Sequence, residues 1–454
     1  MPDERTATEK PENTDMRAER MRTLKRWPGQ QRLGPKYWRL WSATSISGVG
    51  SGMTMAAIPL LSVVYSSDPR VVSLVTAAAF LPALLFGLHS GAIVDREDRR
   101  RLMLAADGVR LLVVALFAVL VVGGRGSIQW LLVVAFILGS AEILFENAAS
   151  AFVPMLVSRS SLGSANSKLL ATQTVSMQFI GIPLGGTLFV LAASAPFVVD
   201  AMTYAIALAL ILAIKGSYAT SGRNAGDRRT VTAGPQGTVW QDVREGAAWL
   251  WRHKPLRGLA ILTAALNLAG ATGESTLVLY ASRVLGLDER GYAFLLSLLA
   301  VGAIAGSLVA ARARGRFGTV RTLGAAGAAM GAGFVVPATT SSLPATIAAL
   351  IAVGAASMVW NVVTVTARQE LVPDVLLGRV TSAYRVVALG VLPLGAVLGG
   401  VVASKYGLHA PWVAASALMV GASIVAVMPD GLREIDRRLA VARQPAGPAH
   451  KDGQ

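Results

Sequence analysis

The chain has 454 residues, of which 53% are apolar and only 15% charged, with a formal net charge of +16. A soluble domain carries roughly 25% charged residues, and here the charges cluster between long apolar stretches, so the composition speaks against a water-soluble protein and against nucleic acid as the reason for the basic excess. No Cys is present and the four His residues (His89, His253, His409, His450) are scattered, which leaves no disulfide framework or metal-ligand spacing, so neither metal nor cofactor is expected.

The first 35 residues are polar and lack the apolar core of a signal peptide, and they read as a disordered cytoplasmic tail. Apolar segments follow at 37–64, 71–94, 102–123, 128–157, 162–191 and 196–215, then at 257–283, 291–312, 321–341, 344–370, 376–403 and 410–428. Each approaches or exceeds the about 20 residues that a helix needs to cross a hydrocarbon core roughly 30 Å thick. The 46 Gly residues suit helices that pack closely in lipid. The expected fold is all-α, with twelve transmembrane helices in two six-helix bundles, over residues 36–215 and 256–429. Between them, 216–255 reads as a cytoplasmic linker. It ends in a helix whose Val239, Val243, Ala247 and Leu250 share one face, expected to lie on the membrane surface. Residues 430–454 read as a cytoplasmic tail.

With both termini inside, the cytoplasmic segments and adjoining helix ends hold 37 of the 42 basic residues. The other side keeps Arg70, Arg125, Arg283, Arg290 and Lys405. That bias is the one the positive-inside rule requires of a multi-pass protein in the cell membrane, and the basic residues are expected to touch anionic lipid headgroups.

The halves echo each other. Gly87 and Gly91 in the second span correspond to Gly302 and Gly306 in the eighth, each pair followed by an arginine-rich turn. Asn147 in the fourth span matches Asn361 in the tenth, and Pro183-Leu-Gly185 matches Pro393-Leu-Gly395. Parallel six-helix repeats of this kind place a substrate site at their interface.

The turn after the second span reads Gly91-Ala-Ile-Val-Asp95-Arg96-Glu-Asp-Arg99-Arg100-Arg101-Leu102. It resembles the signature loop of the major facilitator superfamily, and the surrounding pattern resembles the twelve-span drug:proton antiporter branch that contains macrolide and siderophore exporters. Supporting matches are Trp41…Ile46-Ser-Gly48-Val-Gly50, Phe197-Val-Val-Asp200-Ala and Arg368-Gln369…Pro373-Asp374…Gly378-Arg379. The resemblance implies alternating access driven by the proton gradient, a small-molecule substrate and a monomer. It also implies a conformational latch on the cytoplasmic face formed by Gly91, Asp95, Arg96, Arg99 and Arg100. The sequence departs from the family's patterns in four places, the first of them from the general signature only, since an acid at that position is common in the exporter branch. Asp98 replaces a Gly, Ser51 stands where many relatives carry an acid, the fourth span lacks an arginine, and Ile182-Pro183-Leu-Gly185-Gly186 only approximates the antiporter motif.

Ionisable residues inside spans are costly and are therefore functional candidates. Glu142 and Glu146 lie one turn apart on the fourth span, and Asn267 and Glu274 share a face of the seventh. Desolvation disfavours the charged form of a carboxyl at mid-membrane, so Glu274 first, then Glu142 and Glu146, are expected to carry protons or bind a cationic substrate. Gln173, Gln178, Asn361, Tyr384 and Arg385 are further cavity-lining candidates, while Asp200 and Tyr204 read as structural. Export of hydrophobic or cationic compounds is the leading function, with uptake of a small solute as the alternative. The chain has no phosphate-binding loop for ATP and no catalytic constellation.

Overall fold

The computed structural model describes residues 33–216 and 239–427. Residues 1–32 of the expected N-terminal tail, linker residues 217–238, residues 428–429 and the whole of the expected C-terminal tail lie outside this description. So do the side chains of Gly91, Asp95 and Arg96, and with them the centre of the expected latch.

Among the described residues, eleven helices are long and apolar enough to cross a membrane. In chain order the first six spans are Pro35–Tyr65, Pro69–Arg96, Arg99–Val122, Ile128–Leu156, Leu162–Leu191 and Ala195–Leu212. Spans 7 to 11 are Lys254–Arg283, Glu289–Phe317, Thr319–Thr339, Leu343–Leu371 and Leu376–Tyr406. The 18-residue apolar helix Ala410–Val427 is the twelfth.

Local chemistry sets the helix ends. Asp68, Asp98 and Asp288 each accept a backbone N–H from the first turn of spans 2, 3 and 8. Asp98, which departs from the general signature, thus serves as a helix cap. Spans 8 and 11 stop at Gly318 and Gly407, whose φ values of 82° and 87° lie in the region that favours glycine.

Span 3 shows how the molecule presents itself. Leu112, Leu116, Val119 and Val122 are exposed, whereas Asp107 and Arg110 are buried at 0% and 1% exposure. Apolar residues outside and ionisable ones inside is the arrangement for lipid as the surrounding solvent. It also corrects one step of the charge count, because Arg110 belongs to the bundle interior and not to the cytoplasmic end of its helix.

Within each half, small residues let backbones approach. A β-carbon at Gly139 of span 4 would lie 2.5 Å from the Ala79 carbonyl oxygen of span 2. In the second half Gly354 of span 10 abuts Leu299 of span 8, while Gly302 and Gly306 abut Ile351 and Ala355. The echo with span 2 is only partial, since a β-carbon at Gly87 would meet nothing within 4 Å.

Three segments expected as continuous helices are interrupted. Span 5 contains a π-helical turn, Val175–Gly181, immediately before Ile182–Leu191. Span 11 breaks between Asp374–Leu389 and Leu392–Tyr406. Pro183 and Pro393 explain both, because proline lacks an N–H and its ring clashes with the carbonyl four residues earlier. Span 7 breaks after Glu274, and its second piece is Leu277–Arg283.

The linker helix, Val239–Arg252, packs against the rest of the protein through its described side chains. Leu250 is buried at 1% exposure, Gly246 sits against the backbone of Arg379, and Glu245 pairs with Arg379 at 2.5 Å. The helix therefore docks on the first part of span 11, turning Leu250 into the protein and away from the lipid surface.

The two halves meet chiefly at one end of the bundle, where span 2 packs on span 11 and span 5 on span 8. There Gly400 lies against Pro69 and Ser73, Gly186 against Glu289 and Ala293, and Arg283 donates to the Ser67 carbonyl at 2.9 Å.

Candidate transport site

The first half is organised around Arg110. Its guanidinium lies 2.8 Å from Glu142 of span 4 and 3.4 Å from Asp107 one turn earlier on its own helix. Phe145 and Tyr204 flank it, with ring centroids 4.8 and 5.5 Å from the guanidinium carbon. Tyr204 shares a 3.0 Å hydrogen bond with Ser51, and Thr54 donates to Asp200 at 2.5 Å. Thr203 also donates to Asp200, and Gly50 leaves room for that carboxylate because a β-carbon would collide with it. Spans 1, 3, 4 and 6 thus converge on one polar knot. In a low-dielectric interior, carboxylates and rings placed in this way offset the cost of burying an arginine.

Asp107 and Arg110 were not singled out from the sequence. Two ionisable residues three apart in an apolar run were signal enough, and their closeness to the basic turn hid it. The arginine absent from span 4 is replaced in space by one from span 3, directed at Glu142. Asp200 and Tyr204, read as structural, belong to the same knot.

A cavity of about 370 Å³ lies between the halves. Ser51, Thr54, Glu142 and Tyr204 line it from the first half, and Glu274, Ser275 and Tyr292 from the second. The structure therefore brings Glu142 and Glu274 to one space. The side chain of Glu142 is 33% exposed there. Glu274, the last residue before the break in span 7, faces the cavity with no hydrogen-bond or ion-pair partner among the described residues. Met177, from the π-turn of span 5, and Leu392, beside the break in span 11, complete the wall, so the proline-induced interruptions border the cavity.

A second cavity, of about 570 Å³, opens within the second half. Asn267, Glu274, Asn361, Tyr384 and Arg385 all line it, together with Arg368. Asn267 donates to the Ala388 carbonyl at 2.7 Å, which ties span 7 to span 11. Glu274 borders both cavities.

The remaining candidates lie apart from these cavities. Gln173 donates to Glu146 at 3.2 Å, joining spans 5 and 4, and Gln178 is half-buried on the π-turn. Arg100 donates to the Ile211 and Leu212 carbonyls at 3.1 and 2.9 Å, so it caps span 6 inside its own half. Arg99 is buried beside Asp98 at the start of span 3. No group of His, Cys, Asp or Glu fit to hold a metal exists among the described residues.

Comparison with known proteins agrees with this architecture. A family model described as transmembrane secretion effector matches residues 34–449. The multidrug efflux pump Tap of Mycolicibacterium fortuitum is 28% identical over 419 residues, covering 89% of this chain and 97% of that protein. In fold, the chain resembles the nucleoside transporter NupG, with TM-score 0.69 and 12% identity over 90% of this chain and 100% of the other. It also resembles a bacterial homologue of the iron transporter ferroportin in an inward-facing state, with TM-score 0.68 and 15% identity over 87% and 99%. At these identities the two structures speak for the fold alone.

Proposed function

The chain belongs to the transmembrane secretion effector family of major facilitator transporters, and from that premise we propose that it exports small hydrophobic or cationic compounds across the cytoplasmic membrane by proton antiport. The full-length match to a protein named a multidrug efflux pump supports export as the direction. Both termini are proposed to be cytoplasmic, following the distribution of Lys and Arg, and one chain is proposed to suffice because it carries both halves of the pathway.

One observation carries the coupling reading: Glu142 and Glu274 reach the same inter-half cavity from opposite halves. Arg110 is the only cation in a knot that also holds Asp107, Glu142 and Asp200. If all three carboxyls were ionised, the knot would carry an excess of negative charge. A proton or a substrate cation reduces that excess, and the two then compete for one place. Such competition is what antiport requires: each ligand must leave before the other can bind. The apolar remainder of the wall, including Met55, Ile58, Phe80 and Val278, suits substrates recognised by bulk and charge more than by directional hydrogen bonds.

The test is accumulation of a fluorescent cationic dye in efflux-deficient bacteria, with and without a protonophore. Wild type should lower accumulation several-fold, the protonophore should abolish the effect, and Glu274→Gln should match the empty vector while still reaching the membrane. Accumulation equal to the empty vector for wild type would exclude broad dye export. Activity retained by Glu274→Gln would remove that residue from the coupling.

A further inference from the structure

Arg368 has no task in the coupling scheme, yet it is among the most confined cations in the molecule. It stands in the last turn of span 10 and is only 8% exposed. Its guanidinium carbon lies 3.9 Å from the centroid of the Tyr384 ring. That ring is held in turn, since the Tyr384 and Thr263 hydroxyls are 2.6 Å apart and Trp360 donates to Thr263 at 3.0 Å. Stacking occupies the face of a guanidinium and leaves its N–H donors spread along the edges.

No carboxylate among the described residues takes up those donors. Glu370, two positions away, is engaged by Arg314 in a two-pronged contact at 3.1 and 2.6 Å. Arg385 lines the same cavity, is exposed to it, and lies close enough for its charge to oppose that of Arg368. Two arginines stand at one end of the cavity, and the one that is more than nine-tenths buried and stacked in place has no carboxylate partner among the described residues, while the exposed Arg385 lies within electrostatic reach of Glu146. A charge desolvated to that degree is retained where a partner arrives.

The same cavity reaches Glu274. Thr263, which fixes the Arg368–Tyr384 stack, and Glu274 are eleven residues apart on one helix, about 16 Å at 1.5 Å rise per residue. The wall also carries the polar side chains of Asn267, Ser357, Asn361 and Thr364 among apolar residues such as Leu266, Met330 and Phe334.

We infer that the second-half cavity is a binding subsite for an anionic group of the substrate, a carboxylate or similar oxyanion held by Arg368 and Arg385. The compounds it favours are then amphoteric, with the anion at the arginine end and a cationic or donor group toward Glu274. This rests on the export reading only for the direction of transport. The binding geometry stands by itself.

A matched pair of dyes tests it: a rhodamine with a free carboxylate and its methyl ester, which share one delocalised cation. Binding of each to the purified full-length protein is read by fluorescence polarisation. A charge-assisted contact of about 1.4 kcal/mol corresponds to roughly tenfold in affinity, so wild type should bind the carboxylate dye about tenfold more tightly than the ester. Arg368→Gln should remove that preference by weakening the carboxylate dye about tenfold relative to the ester. Arg385→Gln, at a more exposed position where folding is less at risk, should reduce the preference in part. Equal affinities in wild type, no binding of either dye, or an equal loss for both dyes in Arg368→Gln would overturn the subsite. A wild-type preference for the carboxylate dye, without lowered accumulation of either dye in cells, would keep the subsite and refute the export reading.

Discussion

At the scale of single residues, the first half depends on one buried cation. Arg110 is 1% exposed, and its removal would leave Asp107, at 0%, with no opposite charge beside it. Removing one member of a buried ion pair typically costs about 3–5 kcal/mol, because the other charge stays behind unpaired. Arg110→Ala is therefore expected to unfold at clearly lower temperature than wild type in detergent. Arg110→Ala combined with Asp107→Asn and Glu142→Gln should recover much of that loss. A single variant as stable as wild type would show that the knot is not a source of stability. Glu142 could be picked out from sequence because it and Glu146 are the only ionisable residues in an apolar run. Its partner could not be assigned from sequence, since the pairing joins two helices 32 positions apart and nothing local encodes which faces meet. The same holds for Arg368, whose stacking on Tyr384 depends on how spans 10 and 11 cross.

At the scale of elements, apolar length was enough to find the spans, because the requirement to cross lipid acts on each segment separately. The proline echo at Pro183 and Pro393 was also visible, and it marked where spans 5 and 11 are interrupted. The break at Glu274 had no such marker: Gly273-Glu274-Ser275-Thr276 contains no proline. Which glycines bring helices together was equally hidden. Gly354 and Gly108 look alike in sequence, yet a β-carbon at Gly354 would lie 2.8 Å from the Leu299 carbonyl carbon, whereas at Gly108 it would meet nothing within 4 Å. Opposite outcomes are expected. Gly354→Ala forces spans 8 and 10 apart and should destabilise by about 1–3 kcal/mol, as overpacking does. Gly108→Ala should be neutral or stabilise by up to about 1 kcal/mol, because alanine is the better helix former. Thermal unfolding of the two variants side by side checks the contrast, and equal shifts would mean that the close approach of spans 8 and 10 is not tight.

At the scale of the whole molecule, the halves are joined at the end carrying the turns 66–68 and 284–288, and that end is proposed to face outward. Gly400 seats span 11 on Pro69 and Ser73, and the place a β-carbon would occupy lies 2.7 Å from the Pro69 carbonyl oxygen. A branched side chain there should wedge this end open and shift the population toward the opposite state. The native chain has no Cys, so one introduced cysteine reports accessibility without background. Ser357 borders the second-half cavity and is exposed to it. With Ser357→Cys alone, a membrane-impermeant maleimide should label the protein in inside-out vesicles and scarcely at all in intact cells. Adding Gly400→Val should raise labelling in intact cells and lower it in vesicles. Labelling of the single variant from outside only would reverse the proposed orientation of the closed end. If Gly400→Val left both rates unchanged, the contact between spans 2 and 11 would not be the closure that alternating access must break.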